Sequence, residues 1–375
     1  MQLSVIVLNY NVRYHLELCL LSVTRAIQHM KAEIIVVDNA SSDGSLQMLA
    51  ECFPNLKVIA NAKNLGFSKA NNLGVKAASG TYVCILNPDT VVPENCFEHL
   101  LAFAETKKKL GAIGIRLVDG TGTFLPESKR NLPTPKVALA KLLKNSRAYY
   151  ASDFCEENTG KVQVLVGAFM FLKREVYNQQ SGFDEDYFMY GEDIDLSYRL
   201  LQAGYDNYYC GDVPAIHFKG ESTLRDKTYA TRFYEAMGIF YAKHFGANDM
   251  EARLVSLALR AAKGVKTFSK TRNAEEDFNS PALIISSDKT FINQMQTAIP
   301  VKAEVCDILP ATAHTLYGTL IILDAGSFSF KEIIDCMQTL NKGKNTFRIR
   351  PPDCNFILGS DSSTRQGDVT LLRSL

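Results

Sequence analysis

The sequence predicts an α/β protein: a mostly parallel central sheet with helices on both faces, followed by a small carboxyl-terminal three-layer α/β unit. Three observations carry this. Short strands that are apolar along their whole length alternate with helical segments through the first ninety residues. A strand without polar alternation belongs in a sheet covered on both faces. A second run of the same alternation begins after Pro281.

Residues 4–8 form a short apolar run ending in Asn9-Tyr10-Asn11, a buried strand followed by a turn. Residues 14–30 place Leu16, Leu20, Val23 and Ile27 at helical spacing. The run at 33–38 is a second strand, and Ala40-Ser41-Ser42-Asp43-Gly44 supplies a turn and a helix start. Strands are expected at 56–60 and 81–86, with a helix at 68–78 after the Asn64-Leu65-Gly66 turn. The pattern lapses over 116–160, where Gly and Pro recur beside Lys129, Arg130, Lys136, Lys141, Lys144 and Arg147. This reads as a long excursion with one short helix near 137–143, and structured excursions of that length are usually functional. A strand is expected at 162–172, and helices at 192–204 and 232–245.

Residues 251–272 read as a basic amphipathic helix. Leu254, Leu257, Ala258, Ala261, Val265 and Phe268 lie on one side and Arg260, Lys263, Lys266 and Lys270 on the other. A polar linker leads to Pro281. Strands then follow at 282–286, 303–308, 319–324, 346–350 and 355–358, with helices at 290–298 and 330–340. The expected organisation is therefore 1–250, a helix and linker at 251–280, and a small α/β domain at 281–375.

Length and charge bound the function. The chain has 375 residues, 41 Lys and Arg against 40 Asp and Glu, and a net charge of +1. At about 150 residues per domain this means two or three domains. Near-neutral charge argues against nucleic-acid binding by bulk electrostatics. Nine scattered cysteines without a C-x-x-C pair fit free thiols in a reducing compartment. No signal peptide and no apolar run of membrane-spanning length is expected, so the chain reads as cytoplasmic, with any membrane contact peripheral.

Polar residues stand at the carboxyl ends of the parallel strands, where such sheets bind ligands. Asp38 follows Ile34-Ile35-Val36-Val37 and can accept hydrogen bonds from a nucleotide or cap its own turn. Asp89, in Leu86-Asn87-Pro88-Asp89-Thr90, suits a hard cation that takes one or two carboxylates plus substrate phosphates, or a plain turn. The block from Gly182 to Leu196 holds six carboxylates within twelve residues, interleaved with aromatic side chains. A carboxylate in such surroundings can serve as a general base, while capping accounts for some of the set. His217, in His217-Phe218-Lys219-Gly220-Glu221-Ser222, is a ligand or a structural histidine.

Taken in order, these motifs closely resemble family 2 glycosyltransferases of the GT-A fold, in the branch that includes bacterial rhamnosyltransferases. The resemblance spans roughly residues 3–246 and includes residues 4–11, 35–44, 64–74 and 86–90, Gly167-Ala168, the 182–196 block and 217–222. It implies an inverting transfer of a sugar from a nucleotide-diphosphate donor to a hydroxyl of a saccharide or polyprenyl-linked acceptor, in cell-surface polysaccharide synthesis. By resemblance Tyr10, Asp38, Asn39, Gly66, Asn72 and Asn87 belong to the donor nucleotide site. Asp89 would hold a Mg²⁺ or Mn²⁺ ion with His217. Asp193, beside Glu192, looks like the catalytic base. Gly167, Asp184 and Tyr190 would face the acceptor. Many members carry Asp-x-Asp at the metal site, whereas here the first position is Asn87, which coordinates without charge; a similar Asn-Pro-Asp in the rhamnosyltransferase-like branch leans the donor toward a deoxy-sugar nucleotide.

Two alternatives compete. A sugar-nucleotide pyrophosphorylase would need a Gly-rich basic loop after the first strand, where Asn9-Tyr10-Asn11 stands. A non-catalytic scaffold would not need Asp38, Asp89, Glu192 and Asp193 together. The basic segments at 129–147 and 253–270 motivate a location on an anionic membrane surface; the plain alternative is a helix packed with its basic side in water. Residues 281–375 resemble no family, and docking or oligomerisation is the default expectation for them.

Overall fold

The structure, a computed structural model, describes residues 1–142, 148–221, 227–245, 281–299, 303–310, 316–363 and 365–372. The basic helix expected at 251–272 and most of its flanking linker lie outside the described residues, as do Lys144 and Arg147.

The amino-terminal unit is built on strands β1 (Leu3–Asn9), β2 (Ala32–Asp38), β3 (Lys57–Ala60), β4 (Tyr82–Leu86), β5 (Thr90–Val91), β6 (Leu110–Val118), β7 (Gly160–Val162), β8 (Phe169–Lys173) and β9 (Asp206–His217). They run in the order β3-β2-β1-β4-β8-β6-β9-β5, with β7 on β9. β3, β2, β1 and β4 are mutually parallel, β8 is antiparallel to both neighbours, and β6 and β9 are parallel. The sheet is therefore parallel from β3 to β4 and mixed beyond β4.

Helices α1 (Arg13–Ile27), α2 (Ser45–Cys52) and α4 (Cys96–Glu105) cover one face. Helices α3 (Phe67–Lys76), α6 (Arg174–Gln179) and α7 (Glu192–Gln202) cover the other, while α5 (Pro135–Leu142) and α8 (Lys227–His244) pack against α7 and the excursion. β1 shows why an unbroken apolar run was required. Leu3, Val5 and Val7 enter the core shared with α1 and α2, and Ile6 and Leu8 the core shared with α3. Successive side chains point to opposite faces of a strand, so both sets must be apolar.

The expected strand at 162–172 is broken. Gly160–Val162 and Phe169–Lys173 form the strands, Val164 between them makes an isolated antiparallel bridge to Arg130, and Gly167 gives its N–H to the Asp193 side chain instead of a ladder partner. β6 and β9 are absent from the sequence reading; both carry glycines or polar residues inside the strand, and their pairing shifts register between Ile115 and Arg116.

The carboxyl-terminal unit contains β10 (Ala282–Ile285), α9 (Lys289–Ala298), β11 (Ala303–Cys306), β12 (Leu320–Asp324), α10 (Phe330–Leu340), β13 (Thr346–Arg350), β14 (Phe356–Gly359) and β15 (Asp368–Leu371). The strand order is β11-β10-β12-β13-β14-β15. The first four are parallel and the last two antiparallel. Leu283, Ile285, Ile321 and Leu323 face α10, while Ala282, Ile284 and Ile322 face Phe291 and Met295 of α9, giving three layers. β15 is an addition to the sequence reading. The crevice at the carboxyl ends of β10 and β12 is filled from within: Ser286 and Ser327 donate to Asp324, and Arg350 pairs with Asp288 at 2.8 Å. The polar residues 359–363 that follow β13 and β14 are likewise engaged, because Arg348 holds Asp361 and Asp368.

Candidate active site

A cleft of about 450 Å³ opens at the carboxyl ends of β1 and β4. It is lined by Tyr10, Asn39 and Gly66, by Asn87, Asp89 and His217, and by Gly167, Tyr190, Glu192 and Asp193. Ten of the thirteen residues singled out in the sequence therefore line one cavity. Asp38, Asn72 and Asp184 do not.

The floor is set by a chain of amides. Asp38 is fully buried, and its two oxygens accept from Asn9 Nδ2 at 2.8 Å and Ser41 N–H at 2.9 Å. It fixes the β1 and β2 turns against each other, one position behind the cleft surface. Asn39 reaches forward: its Nδ2 donates to Asn64 Oδ1 and the Gly66 carbonyl, and its Oδ1 accepts from Leu65 N–H. Gly66 has φ +83°, and a Cβ there would lie 2.5 Å from the Phe188 carbonyl oxygen. Only glycine fits that conformation and approach.

The Asp89 wall depends on β5 and β9. Thr90 pairs with His217 and Val91 with Ile216, and Phe218 N–H donates to the Asp89 carbonyl at 3.0 Å. This two-residue ladder brings together side chains 128 positions apart: Asp89 Oδ1 lies 3.4 Å from His217 Nε2, and Asn87 Nδ2 is 3.3 Å from the same nitrogen. Both residues are buried, yet Asp89 Oδ1 and His217 Nδ1 have no hydrogen-bond partner. Buried polar atoms are normally satisfied, so these orphans suit a ligand from the cleft. Burial works to raise the Asp89 carboxyl, and His217, together with His15 and a backbone N–H, outweighs it, leaving it below the usual carboxylate range. Among the described residues no group of three or more His, Cys, Asp or Glu side chains could hold a metal ion. The donor set fits a cation that takes two protein ligands and fills its shell with diphosphate oxygens and water.

The acidic block sorts by partner. Asp184 and Asp186 pair with Lys243 of α8, outside the cleft. Glu185 accepts from Asn72, whose Oδ1 takes the Tyr177 hydroxyl and Phe183 N–H. Asn72 is thus a brace for the Gly182 turn. Asp195 is held by Arg199 at 2.7 Å and His244 at 2.6 Å. Only Glu192 and Asp193 face the cleft. They start α7, where the helix dipole favours anions, after Tyr190 (φ +69°) and Gly191 (φ +93°) turn the chain sharply. Glu192 Oε2 is buried without a partner, and burial, with Asp193 next to it, holds the Glu192 carboxyl well above the usual range.

Arg130 was not foreseen. Its Nη2 donates to Asp193 Oδ2 at 2.6 Å and to the Leu165 carbonyl, and Nη1 reaches the Tyr149 hydroxyl at 3.3 Å. Gly167 N–H is the second donor to Asp193 Oδ2, at 3.0 Å. Lys129 is also buried, over the Phe154 ring at 4.0 Å. These two cations of the excursion therefore serve the interior, correcting their assignment to a membrane-facing surface. A buried arginine signals a buried anion, but nothing in local spacing distinguishes Arg130 from the other cations of the excursion.

One cleft at the sheet edge thus holds a buried Asp89–His217 pair together with the buried carboxyl groups of Glu192 and Asp193. Sequence comparison points to the class: residues 4–180 match the model of glycosyl transferase family 2. The chain is 28% identical over 263 residues to the N-acetylglucosaminyl-diphospho-decaprenol L-rhamnosyltransferase of Mycobacterium tuberculosis, covering 65% of this chain and 85% of that protein. It is 27% identical over 199 residues to the rhamnosyltransferase WbbL of Escherichia coli K12, covering 51% of this chain and 74% of that protein. Among solved structures, the mannosyltransferase PcManGT of Pyrobaculum calidifontis in complex with GDP-Man and Mn²⁺ aligns at a TM-score of 0.46 and 19% identity, covering 70% of this chain and 69% of that one.

Proposed function

We propose that this glycosyltransferase moves a sugar, of the deoxyhexose class, from a nucleotide-diphosphate donor to a hydroxyl of a lipid-linked saccharide acceptor in cell-surface polysaccharide synthesis. The observation that carries the reading is that the Asp89–His217 pair and Asp193 line one cleft. The names of the two rhamnosyltransferase relatives support the donor class, and that of the mycobacterial one a lipid-diphosphate acceptor.

Tyr10, on the exposed rim, offers a ring against the nucleotide base, and the Asn39–Gly66 turn shapes the floor beneath it. Asp89 and His217 would hold Mg²⁺ or Mn²⁺ against the diphosphate. When bound, such an ion supplies Lewis-acid stabilisation of charge on the departing phosphate. Asp193 accepts the proton of the acceptor hydroxyl. The acceptor oxygen bonds to the anomeric carbon as the carbon–phosphate-oxygen bond breaks, and that electron pair leaves with the nucleoside diphosphate. Attack from the opposite face inverts the anomeric configuration. Arg130 and Gly167 N–H fix the Asp193 carboxylate, so it is pre-oriented before the acceptor arrives.

No helix among the described residues is long and apolar enough to cross a membrane. The acceptor class places the reaction at a membrane face, through peripheral contact. The test is a thermal-shift screen of sugar nucleotides with Mn²⁺, since a ligand stabilises the folded state as ln(1 + [L]/Kd). A deoxyhexose nucleotide that raises Tm and yields a product of inverted anomeric configuration by NMR supports the reading; retention of configuration contradicts it.

A further inference from the structure

The carboxyl-terminal unit grips the one weak part of the cleft. β5 is a two-residue strand at the edge of the sheet, and its pairing with β9 is what joins Asp89 to His217. A ladder that short has little stability of its own. Contacts from the second unit close on both of its ends.

Just beyond β5, Glu94 accepts the N–H groups of Phe330 and Lys331 at 2.7 and 3.0 Å. These are the first residues of α10, whose opening N–H groups have no intrahelical partner. Arg25 of α1 stacks over the Phe330 ring at 5.1 Å beside Glu94. Just beyond β9, Glu221 is buried and its Oε1 accepts Gly367 N–H at 2.8 Å. The Glu221 carbonyl accepts Gln366 Nε2 at 2.8 Å. The other carboxylate oxygen lies 3.7 Å from His15 Nε2, and the His15 ring meets Phe218 edge-on at 5.2 Å.

Between these ends the seam is apolar. Val91, Ile216 and Phe218 share one apolar core with Phe330, Ile333, Met337 and Leu358. The approach is close: a Cβ at Gly120 would lie 2.5 Å from the Ser360 carbonyl oxygen, and one at Gly122 2.4 Å from that of Met337.

We infer that the carboxyl-terminal unit is a buttress for the cation-binding ladder: it sets the Asp89–His217 pair through Glu94 and Glu221, which are positioning residues. The inference rests on the reading of Asp89 and His217 as cation ligands. It assigns the second α/β unit a role in the amino-terminal cleft, in place of docking to another molecule.

The test uses the full chain with Glu94→Ala, Gln366→Ala and the double variant, none of which touches the cleft. Hydrogen–deuterium exchange is read over residues 88–92 and 214–221, and Mn²⁺ affinity by loss of the free-ion EPR signal. Expected are at least tenfold faster exchange in those two segments of the double variant, unchanged exchange at residues 192–200, and at least a fivefold weaker Mn²⁺ affinity. Unchanged exchange and affinity in a folded double variant would overturn the buttress. If the double variant does not fold, the single Gln366→Ala variant is read by the same two measurements, with smaller shifts in the same direction expected and none overturning it. Asp89→Asn separates the two readings: Mn²⁺ binding that survives this change refutes the cation site itself, whatever the seam variants show.

Discussion

Arg130 Nη2 donates to Asp193 Oδ2 at 2.6 Å, with both side chains buried. The contact ties the irregular excursion between β6 and β7 to the first turn of α7, across 63 residues of sequence. It holds the Asp193 side of the cleft in place. Removing one partner of a buried ion pair typically costs about 3–5 kcal/mol, because the other charge is left uncompensated. Arg130→Met is accordingly expected to lower unfolding free energy by about that amount in urea titrations, and to reduce kcat more than donor affinity. Arg130→Lys, which cannot bridge Asp193, Leu165 and Tyr149 together, is expected to recover only part of both.

Glu221 provides a pH signature. Its carboxyl is pushed up to about 7, by burial first and then by Asp89, against the Gly367 N–H, which lowers it. His15, Asp89 and Asp368 are the titratable groups around it. A carboxyl raised in the folded state binds its proton more tightly there than in the unfolded chain. Its contribution is intact below pH 4.5 and is lost as pH rises from about 4.5 to about 7. Glu221→Gln should remove that loss, so the variant gains on the wild type across this window by on the order of 3 kcal/mol. Denaturant titrations at pH 4.5 and 7.5 read the difference; a constant gap between the proteins would contradict the assignment.

Asp89→Asn keeps size and removes charge. The wild type should gain thermal stability when Mn²⁺ and a binding sugar nucleotide are both present, and the variant should lose the Mn²⁺-dependent part of that gain. Calorimetric scans with and without EDTA measure it.

Gly66→Ala tests the donor floor. A side chain at φ +83° and 2.5 Å from the Phe188 carbonyl must shift the 64–66 turn or the 188–191 segment. A strained backbone of this kind costs about 1–3 kcal/mol. The expected outcome is a lower Tm and a higher KM for donor, with a smaller change in KM for acceptor.

The parallel half of the sheet and the wall of the cleft were legible because each rests on a local pattern. β1, β2 and β4 are apolar on both faces, and Asn39, Asp89 and Glu192 follow directly from a strand end or helix start. β9 was not legible: Asp206, Asn207, Gly211, Asp212 and Pro214 interrupt its apolar run, and it pairs through a register shift instead of a clean ladder. Arg130 was hidden for a different reason. Its charge is identical in sequence to that of the other cations of the excursion, and its anion lies on a distant helix. The acidic block was overread for the converse reason, since Asp184, Asp186 and Asp195 find their cations on α8 and α7. Asp38 shows the limit of a strand-end rule: the position was right, but Asn9 and Ser41 occupy both oxygens.

The most direct test of the account is the single-turnover transfer rate of Asp193→Asn with saturating donor, acceptor and Mn²⁺. The substitution preserves shape but takes away the proton acceptor, and a general base contributes about 10²–10⁴-fold. The account predicts a fall of at least a hundredfold in transfer with donor affinity within about threefold of wild type. Transfer at the wild-type rate, with donor still bound, would contradict it.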